Sequence, residues 1–254
     1  MITEKRFEVI INLLKEKEFL TLQELIEMTG CSASTIRRDL SKLQHQGKLQ
    51  RVHGGATLKT TSLSEPKLSE KKGRNTQEKR EIAKAAALKV EDNDCIYIDA
   101  GSSTYEMINY ITAQNIVAVT NGLTHVEALL QKGFKTIVIG GEVKPNTLAA
   151  VGPKAIETIK RYHFDKVFIG MNGVDLEKGL STPDEQEAYV KETAMQSGGQ
   201  IFILLDSSKF AHTYFANVHL PKQKQALIVT SNKALQRQDI KAYHKQFVLE
   251  GGQS

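Results

Sequence analysis

The strongest constraint on the fold is an alternation of apolar, strand-like segments with helix-like segments after residue 94. The strand-like segments are 95–99, 116–120, 136–139, 166–169, 201–206, 226–229 and 246–249. Helical patterns lie between most of them, at 104–113, 123–132, 152–161, 184–196 and 232–241. This alternation is typical of a mostly parallel sheet with helices on both faces, so we predict an α/β domain over residues 76–250.

The N-terminal residues predict a second, smaller domain. Apolar residues from Phe7 to Leu14 recur at helical spacing and indicate a first helix over 3–17. Thr21 and Glu24 have the spacing of a capping box, which opens a second helix.

A third helix and a hairpin complete this domain. Ser32 or Ser34 can cap the helix, whose inner stripe is Ile36, Leu40 and Leu43. The glycine-containing segment after it, 49–58, reads as a β-hairpin. Three helices and a hairpin within residues 3–58 predict a winged helix-turn-helix, with 59–75 as a linker that has room for a helical turn.

The outward face of the third helix carries paired arginines, which predict contact with DNA. Such a helix can enter the major groove, and a basic hairpin beside it can hold phosphates. A solvated face held by side-chain pairs is the alternative, and the position on a third short helix before a basic hairpin favours DNA. The expected DNA-contacting residues are Ser34, Thr35, Arg37, Arg38, Ser41, Lys42, Arg51 and His53.

The charge distribution is uneven along the chain. Residues 1–80 contain 16 Lys and Arg against 10 Asp and Glu, a net of +6, whereas 81–254 contain 18 against 19, a net of −1. A basic end is expected where one part of a protein meets a polyanion, although a solvated basic surface would look the same.

Polar residues follow the predicted strands and indicate a ligand site. The carboxyl ends of parallel strands share one edge of a sheet, where ligands bind. A glycine and three hydroxyls after the first strand can hold phosphate at a helix N-terminus, and the alternative is an ordinary capped turn. The polar residues at the strand ends are Asp99, Gly101, Ser102, Ser103, Thr104, Thr120, Asn121, Gly122, Asn172 and Lys209.

A segment between two of these strands repeats charge at helical spacing. Asp184, Glu187 and Lys191 share one helix face, and Glu185 lies beside them. Carboxylates can bind sugar hydroxyls and the lysine a phosphate, but acids near a helix start are also favoured by its dipole alone.

Several function classes are not indicated. Neither a P-loop nor a dinucleotide fingerprint follows a strand, and the histidines lack metal-ligand spacing. We therefore expect no metal and no cofactor. Two cysteines are too few for a disulfide framework, and neither a signal peptide nor a membrane span is evident, so a cytoplasmic protein is expected.

The motifs resemble those of the DeoR family of bacterial transcriptional regulators, in the right order over nearly the whole chain. The matching segments are 35–40, 51–56, 99–102, 120–122, 140–141, 170–175, 181–185 and 206–209. Ser103, Lys144 and Ala211 depart from the commoner pattern, where threonine, arginine and glycine are frequent. The N-terminal half is most similar to fructose-operon repressors of low-GC Gram-positive bacteria.

This resemblance implies a C-terminal domain similar to ribose-5-phosphate isomerase and related sugar-phosphate sensors. It implies a homo-oligomeric repressor of a sugar operon that a phosphorylated sugar, such as fructose 1-phosphate, releases from operator DNA. By motif match, Asp99, 101–104, Asn121, Glu185 and Lys209 would line the effector pocket. A sugar-phosphate isomerase with an appended DNA-binding domain is the alternative, and RNA binding is disfavoured because residues 1–58 lack aromatic platforms.

Overall fold

The computed structural model describes residues 3–17, 19–52, 54–58, 63 and 65–251. By its internal contacts the chain forms two compact units, Met1–Thr61 and Ser62–Ser254. We call them the N-terminal unit and the α/β unit.

The N-terminal unit has the predicted winged helix-turn-helix fold. Its elements in chain order are α1 (Thr3–Lys17), β1 (Phe19–Thr21), α2 (Leu22–Thr29), α3 (Ala33–His45), β2 (Leu49–Val52) and β3 (Gly55–Leu58). The strands form an antiparallel sheet in the order β1–β3–β2. Strand β1 was not predicted, because three residues give too short a pattern and the pairing of Thr21 with Gly55 is a long-range contact.

Local capping signals set the helix boundaries in this unit. The backbone N–H of Glu24 donates to the Thr21 hydroxyl at 3.1 Å, and the Glu24 carboxylate accepts the Thr21 N–H at 2.9 Å, which confirms the capping box. Ser32 caps α3 by accepting the Thr35 N–H at 3.3 Å, so Ser32 and not Ser34 is the cap. The inner stripe of α3 is buried in the unit's core, as predicted.

The α/β unit contains the predicted alternation of strands and helices. Its elements in chain order are α4 (Leu68–Gly73), α5 (Thr76–Ala87), β4 (Cys95–Ile98), α6 (Ser102–Ile108), β5 (Val117–Thr120), α7 (Leu123–Gln131), β6 (Lys135–Val138), β7 (Glu142–Val143), β8 (Ala150–Val151), α8 (Pro153–Ile159), β9 (Phe164–Gly170), β10 (Gly173–Asp175), β11 (Gly179–Thr182), α9 (Glu185–Ser197), β12 (Gly198–Leu204), β13 (Ala216–Val218), β14 (Ala226–Thr230), α10 (Asn232–Leu235) and β15 (Val248–Gly251). Short 3-10 turns span Ser207–Lys209 and Asp239–Lys245.

The central sheet of this unit is parallel, as the sequence predicts. Within the described residues it has seven strands in the order β15–β14–β12–β9–β4–β5–β6. Neighbouring residues of one strand enter different cores: Ile96 and Ile98 pack in one cluster, and Tyr97 packs in the other. Since side chains alternate along a strand, both faces of the sheet are covered.

Two small antiparallel sheets accompany the central one. Strands β10, β11 and β13 form one, and the β7–β8 hairpin forms the other. They were not predicted, because segments of two to four residues carry too little periodicity.

The expected linker is partly folded. From Glu65 onward it belongs to the α/β unit, where α4 buries Leu68. Asn75, at its end, is the N-cap residue of α5. Asn75 has a left-handed backbone (φ 50°) and makes no side-chain cap, because its amide donates to Asp206 at 3.1 Å instead.

Candidate functional site

The outward face of α3 presents the residues expected to contact DNA. Ser34, Arg37, Arg38 and Lys42 are exposed, and Thr35 is half-buried at the edge of this face. The apolar stripe on the opposite side fixes this orientation, because burying it leaves the polar residues in solvent. This face of α3 is therefore accessible from solvent.

Strand β2, the first strand of the β2–β3 hairpin, is joined to α3 by a chain of hydrogen bonds. The Arg51 guanidinium donates to the Ser41 hydroxyl at 2.9 Å, and that hydroxyl donates to the Arg37 carbonyl at the same distance. Ser41 and Arg51 thus lie beside the arginine face. His53 lies outside the described residues, so its expected role stays a prediction.

A buried ion pair anchors the arginine helix to α1. The Arg6 guanidinium donates to both carboxylate oxygens of Asp39, with Nη2 at 3.0 Å from Oδ1. Asp39 is almost completely buried. The sequence reasoning missed this pair, although Asp39 lies on the inner stripe, between Ile36 and Leu43, where a charge needs a partner.

In the α/β unit, the loops after β4, β5 and β9 meet at one edge of the sheet. The Ala100 N–H donates to the Asn121 side chain at 2.9 Å, and the Gly170 N–H donates to Asp99 at 3.1 Å. The Thr120 hydroxyl donates to the Ile98 carbonyl at 2.6 Å and accepts the Gly122 N–H at 3.0 Å. The polar strand ends therefore converge.

Some of these polar atoms hold the loops in shape. Thr104 is completely buried, and its hydroxyl donates to the Asp99 carbonyl at 2.6 Å and accepts the Gly101 N–H at 3.0 Å. Ser103 is buried and Ser102 half-buried at the start of α6, next to Gly101. Thr104 thus shapes the turn that places the two serines.

A buried ion pair occupies the centre of this edge. The Lys191 ammonium of α9 lies 2.5 Å from the Asp99 carboxylate, and both side chains are at most 5% exposed. Burial alone would lower the pKa of Lys191, but the carboxylates of Asp99 and Glu187 raise it overall. Lys191 therefore stays cationic in a site closed to bulk water.

A second charge cluster adjoins it on the β7–β8 hairpin. Lys144 lies 2.7 Å from Glu65, 3.0 Å from Asp184 and 3.4 Å from Glu187. Glu187 also accepts the Thr147 hydroxyl at 2.8 Å. Glu65 was missed because it lies in the expected linker, and Lys144 was noted only as a departure from the family pattern.

The remaining expected residues take varied positions. Asp184 is the N-cap of α9, where it accepts the Glu187 N–H at 2.9 Å in addition to its contact with Lys144. Glu185 is exposed and accepts a bond from Tyr189, so the structure does not bring it into the cluster. Asn172 accepts the Thr182 hydroxyl at 2.9 Å.

Lys209 ends the 3-10 turn after β12 and is half-buried. Burial lowers the pKa of Lys71 in α4, and the nearby charge of Lys209 lowers it further. Two residues later Ala211 has a left-handed backbone (φ 60°), which explains why glycine suits this position: a Cβ is strained there.

Two further features bear on the kind of site. Among the described residues, no group of three or more His, Cys, Asp and Glu side chains is placed to hold a metal ion. None of the helices in that part of the chain is long and apolar enough to cross a membrane.

Comparisons with known proteins agree with this two-part layout. Residues 6–62 match a model of the DeoR-like helix-turn-helix domain, and residues 74–231 match the DeoR C terminal sensor domain. A Bacillus subtilis protein named as the uncharacterized HTH-type transcriptional regulator FruR is 42% identical over 217 residues, which cover 85% of this chain and 86% of that one.

Two other proteins extend the comparison. The putative aga operon transcriptional repressor of Escherichia coli O157:H7 is 34% identical over 82% of this chain and 79% of its own length. Ribose 5-phosphate isomerase A of Methanocaldococcus jannaschii matches 54% of this chain and 55% of its own with a TM-score of 0.40 and 15% identity, and this distant similarity says nothing about activity.

Proposed function

This chain belongs to the DeoR family of transcriptional regulators, and we propose that it represses a sugar operon until a phosphorylated sugar releases it from operator DNA. One observation carries the proposal: a single chain joins an exposed arginine helix to a sheet edge that gathers buried lysines and carboxylates. The first part suits a polyanion, and the second suits a small ligand with hydroxyl and phosphate groups.

The N-terminal unit supplies the DNA contacts in this proposal. Arg37 and Arg38, with Ser34 and Thr35, read base edges from α3, and Lys42 and Arg51 contact phosphates. We propose that a homo-oligomer places two such helices in successive major grooves of a repeated or palindromic operator. Such a regulator acts in the cytoplasm, where the bacterial chromosome lies.

The converging loops of the α/β unit supply the effector site. Backbone N–H groups at the start of α6 and the hydroxyls of Ser102 and Ser103 suit a phosphate, while Gly101 and Thr104 shape the turn that presents them. Lys191 and Lys209 supply cations. Asp99 and Glu187, together with Asn121, suit sugar hydroxyls. Fructose 1-phosphate is the first effector to test, because the N-terminal half resembles fructose-operon repressors.

Release requires that the effector favour a form of the protein that fits the operator less well. A ligand shifts a conformational equilibrium only by its difference in affinity for the two forms. Binding and release are therefore separate measurements, and the proposal needs both.

A thermal-shift screen tests ligand binding. We expect fructose 1-phosphate or another sugar phosphate to raise the melting temperature, while the unphosphorylated sugar does not. Lys209→Met should abolish the shift, and Lys154→Met, which replaces an exposed lysine of α8, should preserve it. The best ligand is then added to the complex with a DNA fragment selected in vitro, where dissociation supports the proposal and an unchanged complex contradicts it.

An isomerase is the alternative, because the buried Asp99, Lys191 and Glu187 are groups of the kind that transfer protons. An assay with pentose and hexose phosphates decides between the two. Turnover above background would contradict a purely regulatory role.

A further inference from the structure

The segment that leads from the N-terminal unit into the α/β unit crosses the proposed effector site. We call residues 65–73 the connector segment; it includes α4 and belongs to the α/β unit. In the sequence it follows strand β3 of the N-terminal unit, which ends at residue 58, after only a few positions.

Glu65 anchors the start of the connector segment. Its Oε2 atom lies 2.7 Å from the Lys144 ammonium, and its side chain is only 9% exposed. Within the described part of the chain, the Oε1 atom is buried without a hydrogen-bond partner. A buried carboxylate with one unsatisfied oxygen is costly to keep in place.

Glu65 is also the least well held of the carboxylates around Lys144. Asp184 accepts a backbone N–H, and Glu187 accepts the Thr147 hydroxyl. Burial and the nearby charge of Glu187 raise the pKa of Glu65, whereas Lys144 opposes that change. Of these groups, Glu65 is therefore the one most easily displaced or neutralised.

The rest of the connector segment touches other parts of the same site. The Leu68 N–H donates to the Asn146 carbonyl at 2.8 Å, on the loop that also carries Lys144. The Lys72 ammonium lies 3.3 Å from the centre of the Tyr105 ring on α6, the helix that starts at the serines. The segment thus spans from the β7–β8 hairpin to the proposed phosphate loop.

The charges at this edge of the sheet leave little room for an added anion. The groups that interact here are the lysines Lys71, Lys144, Lys191 and Lys209 and the carboxylates Glu65, Asp99, Asp184 and Glu187. These formal charges cancel, and Lys72, which lies over the Tyr105 ring, adds one positive charge. A phosphate dianion would therefore leave this edge with a net negative charge unless a carboxylate leaves or is protonated.

We propose that the Glu65 carboxylate occupies the position beside the Lys144 ammonium where an anionic effector binds. The effector displaces this carboxylate and thereby loosens the connector segment. This inference rests on the proposed function and names its regulation: occupancy of the effector site changes the contacts of the segment that follows the N-terminal unit in the chain. The effector then binds more tightly to the form in which Glu65 has left Lys144. This is the difference in affinity between two forms that release needs.

The variant Glu65→Gln tests the competition. It removes the negative charge while two other carboxylates still pair with Lys144, so fructose 1-phosphate and inorganic phosphate should each bind about tenfold more tightly by calorimetry. Glu70→Gln is the matched control on the same segment: Glu70 is exposed and lies 3.9 Å from Arg74, and its replacement should leave affinity unchanged. Unchanged or weaker binding by Glu65→Gln would overturn the proposal.

Amide hydrogen exchange of residues 67–73 tests the release itself. We expect saturating ligand to speed exchange of these amides in the wild type, and Glu65→Gln to do so without ligand. Protection of this segment by a bound ligand would overturn the inference and leave the proposed function intact. If no sugar phosphate binds, the proposed effector fails, while exchange in ligand-free Glu65→Gln still decides whether Glu65 holds the segment.

Discussion

At the scale of single residues, Arg38 and Lys42 separate base reading from phosphate binding. Both are exposed on α3. If Arg38 makes a bidentate base contact, Arg38→Ala should cost about 1–3 kcal/mol of binding and relax specificity at one base position. Lys42→Gln should weaken binding to all sequences alike. It should also reduce the slope of log K against the log of the salt concentration by about one.

Fluorescence anisotropy with the selected DNA, its single-base variants and random DNA measures both effects. Arg161→Ala, which replaces an exposed arginine just after α8, is the control and should not alter binding. Equal weakening of specific and random DNA by Arg38→Ala would show that Arg38 contacts only the backbone.

His125 gives a second residue-scale prediction, on pH dependence. Its ring is completely buried, between the hydroxyls of Thr104 and Thr124 at 3.3 Å each. Burial, with the charge of Lys72, lowers its pKa to about 3. In the unfolded chain histidine titrates near pH 6.5, so between these values only the unfolded state takes up the proton.

The stability contributed by neutral His125 is therefore present above about pH 6.5 and is lost as the pH falls toward 3. This group should lower the free energy of unfolding by up to about 1.4 kcal/mol per pH unit in that window. Urea unfolding followed by circular dichroism at pH 7.5, 6, 5 and 4 measures the slope. His125→Asn should flatten it, whereas replacement of the exposed His163 should not; equal slopes in both variants would contradict the assignment.

At the scale of elements, the ion pair between Arg6 and Asp39 sets the position of the arginine helix. Removing one partner of such a pair leaves the other charge uncompensated. We therefore expect Asp39→Leu to destabilise the N-terminal unit. The double variant with Arg6→Met should recover most of the loss, because both charges are then gone.

Amide exchange of α3 in urea reports the stability of this unit. Glu27→Gln, an exposed change on α2, is the control. Losses that simply add in the double variant would show that the two charges act independently.

The start of α5 shows the limit of local rules for elements. Asn75 and Glu78 have capping spacing, yet the Glu78 carboxylate accepts the Ser207 hydroxyl at 2.8 Å and the Ser231 hydroxyl at 2.6 Å. Both partners lie more than a hundred residues away in sequence. These side chains join α5 to the loops after β12 and β14, because a buried carboxylate is stabilised by several hydrogen-bond donors.

At the scale of the whole molecule, the boundary between the two units lies at residue 61 and cuts through the basic segment 1–80. Of the net +6 in residues 1–80, residues 1–61 contain 10 basic against 7 acidic groups, and residues 62–80 contain 6 against 3. Half of the surplus thus belongs to the α/β unit, where Lys71 and Lys72 lie near the proposed effector site. The excess of basic residues is therefore not confined to the unit that carries α3.

The sequence by itself determined the winged helix-turn-helix and the parallel α/β sheet, because periodicity and capping act within a few residues. The resemblance of its motifs indicated the family. The sequence also predicted that Asp99 and Asn121 lie at one sheet edge, since parallel strands end together. Only the tertiary structure decided the partners of buried charges: Arg6 with Asp39, Lys191 with Asp99, and Glu65 with Lys144. These pairings depend on which distant segments the fold brings into contact. A buried charge is costly unless an opposite charge lies beside it, so each pair forms where the fold places two opposite charges together.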